Sequence, residues 1–191
     1  MKIALTGHKR GLGECLYSTL LHNGHEVVAF DLHTGYNIND GAIRRQILEE
    51  SSNCEVFINN AYCAPGQFEL LRLVVESEKI GIVLNVGTMA TKIPREILLA
   101  DPSWQRQPDN EVYLQQKLLQ EGYVEKMRNR CNSLLLTINP GYMDTSLLYG
   151  PVDLPYVPLD DVCRGIMMQI ELAEKNVYVP DINIVALPTN S

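Results

Sequence analysis

Short apolar runs alternate with amphipathic segments along this chain. Ile3-Ala4-Leu5, Val27–Phe30, Val56-Phe57-Ile58, Ile80–Val86, Leu134–Ile138 and Ile182–Ala186 are mostly apolar stretches of strand length. Strands of parallel sheets are buried on both faces and read in this way. Between them, apolar residues recur through segments of helix length: Leu12, Leu16 and Leu20; Ile43, Ile47 and Leu48; Phe68, Leu71, Val74 and Val75; and Val112, Leu114, Leu118, Leu119, Tyr123 and Val124. The pattern predicts helices over 11–22, 40–50, 67–77, 110–129 and 160–173. Asn23-Gly24 closes the first and Asn39 or Asp40 caps the second. Residues 89–109, interrupted by prolines, read as a loop or a short broken helix, and residues 146–158 as an irregular segment. Strands alternating with helices predict an α/β fold, a three-layer doubly wound parallel sheet in a single domain over residues 1–191.

Bulk properties narrow the function. The chain has 191 residues and a formal charge of −7, which argues against partnership with nucleic acid or an anionic membrane surface. No apolar run approaches the roughly 20 residues of a membrane span, and the start of the chain reads directly as a strand, so a cytoplasmic protein is expected. Cys15, Cys54, Cys63, Cys131 and Cys163 are odd in number, with no C-x-x-C pair, and the four histidines lack a metal-ligand spacing. Packed, reduced thiols are expected, and no metal.

Ligands of such folds lie beyond the carboxyl ends of the strands. The first end carries Thr6-Gly7-His8-Lys9-Arg10-Gly11-Leu12-Gly13, a G-x-x-x-G-x-G turn opening a helix. Its missing β-carbons let backbone approach a pyrophosphate, and the helix start supplies free N–H groups. Asp31 ends the second strand, where a carboxylate can take a ribose hydroxyl; capping a turn is its structural alternative. Later ends carry Asn59-Asn60-Ala61, Thr88 and Pro140-Gly141. Tyr113 and Lys117 share one face of the long helix. A lysine cation and a bound nicotinamide's charge would both favour the phenolate of a tyrosine acid/base.

These stretches, in this order, resemble the short-chain dehydrogenase/reductase family, which has a Rossmann fold. The glycine turn looks like its T-G-x-x-x-G-x-G, Asn59-Asn60-Ala61 like its N-N-A-G, Tyr113–Lys117 is its Y-x-x-x-K, and Pro140–Thr145 is similar to its P-G-x-x-x-T. The resemblance implies hydride transfer between a nicotinamide cofactor and a small carbonyl or alcohol substrate. It makes Thr88, Tyr113 and Lys117 catalytic: Thr88 orients substrate, Tyr113 exchanges the proton, and Lys117 tunes Tyr113. The implied cofactor contacts are Gly7, Lys9, Arg10, Gly11, Leu12, Gly13, Asp31, Ile38, Asn60, Ala61, Tyr113, Lys117, Pro140, Gly141, Met143 and Thr145. Ile38 is placed near the adenine, and Met143 and Thr145 on the carboxamide. A homodimer or other homo-oligomer paired through long helices is also implied.

The chain departs from that pattern in places. Tyr62 replaces the last glycine of N-N-A-G, and Thr88 replaces a serine. Only a short turn separates Asp31 from Ile38, where the family has a helix. One helix fits between Asn60 and Asn85 where the family has two, which leaves no candidate for its helix asparagine that supports a proton-relay water. Residues 89–109 are expected to form a substrate wall or an interface, and 146–158 a substrate flap. Asp31 would repel a 2′-phosphate, so NAD is expected, with NADP kept open by Arg10. The alternatives are a sugar-nucleotide epimerase or reductase, and a non-catalytic dinucleotide sensor of the same fold.

Overall fold

A computed structural model of the protein describes residues 1–105, 109–143 and 155–186. Six strands form one sheet: β1 (Lys2–Thr6), β2 (Glu26–Phe30), β3 (Val56–Asn59), β4 (Ile82–Val86), β5 (Leu134–Pro140) and β6 (Asp181–Ile184). Their order is β2-β1-β3-β4-β5-β6, and every neighbouring pair is parallel. The helices are α1 (Gly11–His22), α2 (Gly41–Glu50), α3 (Gly66–Ser77), α4 (Arg95–Ala100), α5 (Pro102–Gln105), α6 (Asn110–Met127) and α7 (Leu159–Glu174). The predicted α/β architecture is therefore present, with layers on both faces of the sheet.

Strand periodicity divides the core between those faces. Ile3, Leu5, Val56, Ile58, Ile82 and Leu84 join Leu16 of α1 and Ile166 of α7 on one side. Ala4, Phe57, Val83 and Leu135 alternate with them and meet Ile47 of α2, Leu71 and Val74 of α3 and Val124 of α6 on the other. Such double burial explains why these strands read as continuous apolar runs instead of alternating ones. Among the described residues no helix is long and apolar enough to cross a membrane.

The boundaries differ modestly from the sequence reading. β4 begins at Ile82, with Ile80 buried just before it, and β6 spans Asp181–Ile184 rather than 182–186. Asp40 is the cap of α2, its carboxylate accepting from Ala42 N at 2.7 Å. The link from Asp31 to Ile38 contains one 3₁₀ turn, Leu32–Thr34. Of residues 89–109, the described part 89–105 is a broken helix: a 3₁₀ turn at Met89–Lys92, then α4 and α5. Most of the segment 146–158 lies outside the described residues.

The face of α6 needs a correction. Val112, Leu118 and Leu119 are exposed, whereas Leu114, Lys117, Gln120 and Val124 are buried. The helix turns a partly polar stripe inward because the ends of α3 and β4 offer acceptors there, described below.

Phe57 is fully buried in the middle strand of this core. Phe57→Ala is expected to lower unfolding stability by about 3–5 kcal/mol, by lost transfer energy plus an unfilled cavity, read by urea denaturation.

Candidate functional site

Connections leave β1 in opposite directions, toward β2 on one side and β3 on the other. That reversal opens a crevice at the carboxyl ends of β1 and β3. The glycine turn fills its floor. Gly7 has φ +77 and Gly11 φ +56, the left-handed region in which glycine costs least. A β-carbon on Gly13 would stand 1.8 Å from the Gly7 carbonyl oxygen, so α1 packs directly on the turn. Arg10, the residue before α1, makes no side-chain cap. Among the described residues the first-turn amides of α1 thus have no side-chain acceptor, and with the helix dipole they form a cradle for an anionic group. This glycine geometry fits a dinucleotide pyrophosphate.

The turn is braced from β3. Asn60 N and Ala61 N both donate to Thr6 Oγ1 at 3.0 Å, and Asn60 Nδ2 donates to the Thr6 and Gly7 carbonyls at 3.0 and 3.3 Å. Asn60 thus holds the shape of the turn with its own side chain. Leu12 is buried in the core beneath it. Lys9 and Arg10 are exposed at its rim.

Asp31 combines both sequence readings. Its side chain caps the 3₁₀ turn, accepting from His33 N at 2.9 Å, and also accepts from Lys9 N at 3.2 Å. The carboxylate is therefore fixed beside the glycine turn, at the tip of β2. Ile38 is buried among Phe30, Ile47 and Leu48, so its side chain belongs to the core.

Thr88, Tyr113 and Lys117 meet at the next strand ends. Thr88 follows β4 and caps the 3₁₀ turn that begins at Met89, Oγ1 accepting from Ala90 N at 3.3 Å. Burial pushes the Tyr113 phenol above its ordinary range, and a side-chain hydrogen bond with Thr88 opposes that rise. Lys117 shares the helix face with Tyr113, as their spacing predicts, but its amine turns inward. Nζ donates to Val86 O at 2.7 Å and to Gln67 Oε1 at 2.9 Å, and lies 5.6 Å from the ring centroids of both Tyr62 and Tyr113. Burial without a carboxylate lowers its pKa from 10.5 to about 7. In this state the lysine is a weak source of positive charge for the phenol.

Aromatic rings line this corner. Tyr62 stands edge-to-face on Tyr113, with centroids 4.9 Å apart, and its phenol is pushed up to about 12 by burial. Trp104 packs 6.3 Å from Tyr113 within a small cluster with Leu98 and Leu114. Arg95 pairs with Glu111, and Lys92 with Glu121, fastening the broken helix to α6. Residues 89–105 therefore form a wall beside Tyr113. Across from it, Tyr142 Oη donates to Asp101 Oδ2 at 3.1 Å. Pro140 is buried at the end of β5, Gly141 N donates to Ile184 O, and Met143 bridges to Val157. Thr145 lies outside the described residues.

Gln67 and Gln120 escaped the sequence reading. Gln120 Nε2 donates to the same Gln67 Oε1 at 3.1 Å, and both glutamines are about 1% exposed. A signal existed: Gln67 lies i−4 and i−7 from the core residues Leu71 and Val74, and Gln120 lies one turn beyond Lys117.

The sequence matches no protein-family model and no curated protein. Its fold matches solved structures over nearly the whole chain. One is a 3-alpha-hydroxysteroid dehydrogenase from Pseudomonas sp. B-0831 complexed with NADH, at 15% identity and TM-score 0.73, covering 96% of this chain and 95% of the other. Another is the closed form of serine dehydrogenase complexed with NADP+, at 16% and 0.74, covering 100% and 98%. A third is a short-chain dehydrogenase from Burkholderia cenocepacia J2315 in complex with NADP, at 15% and 0.72, covering 97% and 88%. The fold is that of short-chain dehydrogenases.

The state of Lys117 has a pH signature. Its pKa is lower folded than unfolded, so between about 7 and 10.5 the unfolded chain binds more protons, and stability from this group rises with pH. Below pH 7 the folded protein carries the full cost of a buried cation. Lys117→Met is expected to raise the melting temperature most at pH 6 and least above pH 10.5, read by thermal denaturation across pH.

Proposed function

We propose that the protein is an NAD(P)-dependent oxidoreductase that interconverts a small carbonyl and an alcohol. The observation that carries this reading is the meeting of Thr88, Tyr113 and Lys117 beside a glycine turn whose amides face the crevice. When bound, the nicotinamide supplies or accepts the hydride. The chain's own residues then have distinct tasks. Gly7, Gly11 and Gly13 admit the pyrophosphate to the α1 amides, with Lys9, Arg10 and Leu12 completing the turn. Asp31 takes the adenosine ribose, and Asn60 and Ala61 keep the turn in register. Thr88 holds the substrate oxygen through its hydroxyl, and Tyr113 gives that oxygen a proton or takes one from it. Lys117, when protonated, stabilises the phenolate of Tyr113. Pro140, Gly141 and Met143 border the nicotinamide, and the wall at residues 89–105 closes the substrate side.

NAD is preferred in this reading. A 2′-phosphate would stand against the fixed Asp31 carboxylate, while Arg10 at the exposed rim is a cation free of a helix-capping role. A dinucleotide sensor of the same fold is the second reading, favoured by the Tyr62 ring that packs on Tyr113 and by the inward turn of Lys117. A homodimer is proposed through α6, whose exposed Val112, Leu118 and Leu119 form an apolar face that a second copy would cover.

Three measurements check these statements. Tyr113→Phe is expected to reduce turnover at least a hundredfold, the low end of a positioned acid's contribution, while NADH affinity changes little. Wild-type turnover of a panel of ketones and aldehydes that survives in the variant overturns the mechanism, and cofactor binding without any wild-type turnover selects the sensor. Titration should show tighter NADH than NADPH, and the reverse order would assign the ribose site to Arg10. Light scattering should show a dimer that Leu119→Glu converts to monomer.

A further inference from the structure

The inner end of the Tyr113–Lys117 pair is closed by protein atoms. Lys117 Nζ has two oxygen partners, the Val86 carbonyl and Gln67 Oε1. Gln67 is held so that its oxygen must face the lysine. Its Nε2 donates to Asn59 O at 3.1 Å and reaches Val86 O at 3.5 Å, while Gln120 Nε2 donates to its oxygen from the other side. Reversing the amide would set acceptor against acceptor at Asn59 O and remove the oxygen to which Lys117 Nζ donates. Asn59 in turn donates to Gln67 O and to Asn85 Oδ1. The backbone is pinned as well, because a β-carbon on Gly66 would lie 2.6 Å from Asn39 Oδ1 and from Ile38 O. The start of α3 therefore has no room to slide, and Gln67 cannot drift from Lys117.

We propose that Gln67 is a positioning residue for Lys117: its neutral side-chain oxygen fixes the amine at the inner end of the pair. This rests on the reading of Tyr113 and Lys117 as the acid/base pair. Two protein acceptors match the two N–H groups of a neutral amine, so the site accommodates an uncharged lysine without an orphaned donor. Neither an amide nor a peptide carbonyl takes up a proton near neutrality. A proton exchanged at Tyr113 consequently leaves toward Thr88 and the crevice, and not inward past Lys117. Among the described residues the titratable groups facing Nζ are the phenols of Tyr62, on the loop after β3, and Tyr113, on α6 itself; burial moves the lysine, and no described carboxylate acts on it. An amide at position 67 thus keeps the charge of Lys117 responsive near neutral pH, where a carboxylate would hold it permanently protonated.

The test follows Lys117 by NMR of the full chain labelled with ¹³C at lysine Cε, in wild type, Gln67→Glu and Gln67→Leu, with pH–rate profiles beside it. Gln67→Glu, nearly isosteric, is expected to raise the Lys117 titration midpoint by more than one unit and to carry the kcat profile the same way. Gln67→Leu should cut kcat at least tenfold with cofactor KM little changed, and Gln67→Glu should restore most of that loss at the shifted pH. A Lys117 midpoint unmoved by Gln67→Glu in a folded protein overturns the proposal, as does an unchanged kcat in Gln67→Leu. If Gln67→Leu does not fold, the midpoint in Gln67→Glu decides alone. Failure of the reaction itself is distinguishable: wild type then turns over nothing, while the titration still reports on Gln67.

Discussion

Direct contact between a helix and the turn that precedes it governs the rest of the crevice. With 1.8 Å between the Gly7 oxygen and the position of a Gly13 β-carbon, α1 can reach the end of β1 only because residue 13 is glycine, and the turn before it bends at Gly7 with φ +77. That contact sets where the first amides of α1 emerge. It also lets Thr6 and Asn60 bind the turn to β3, so two strand ends and one helix start become a rigid unit. A methyl group at residue 13 would also stand 2.7 Å from Asn60 Nδ2, so it would press on the very side chain that braces the turn.

A second constraint is electrostatic. Folding places an amine in the interior with no counter-charge among the described residues, which offer it neutral acceptors instead of a carboxylate. The consequence is a seam of amides, Asn59, Gln67, Asn85 and Gln120, running behind Tyr113 at the ends of β3 and β4. It orders the site at the expense of charge. A buried ion pair would hold the lysine more firmly, but it would also end its capacity to change protonation with its surroundings.

Much of this architecture was legible in residue order. Parallel strands declare themselves by apolar runs, and Val56-Phe57-Ile58 needs no partner to be read as buried on both sides. Capping at Asp40 and the left-handed turn at Gly24 follow from local chemistry. The face of α6 was not legible, because hydrophobicity favoured Val112, Leu118 and Leu119, and only the acceptors on α3 and β4 explain why Lys117 and Gln120 turn inward. Asp31 was readable as either a ribose ligand or a cap, and the short link to α2 makes it a cap whatever else it binds. Gln67 was visible as a polar residue on an apolar face, yet its partner lies 50 positions away in the chain.

Asp31 carries a consequence for how this molecule could change over generations. One carboxylate joins the tip of β2, the 3₁₀ turn and the backbone of Lys9. Replacing it with a neutral or basic residue would strip the cap from Leu32–Thr34 and the acceptor from the turn in the same step. The link has no spare helix to absorb that loss. The turn, the cap and the strand end are thus tied to a single codon, and a lineage changing it would first have to acquire a stabilising substitution elsewhere.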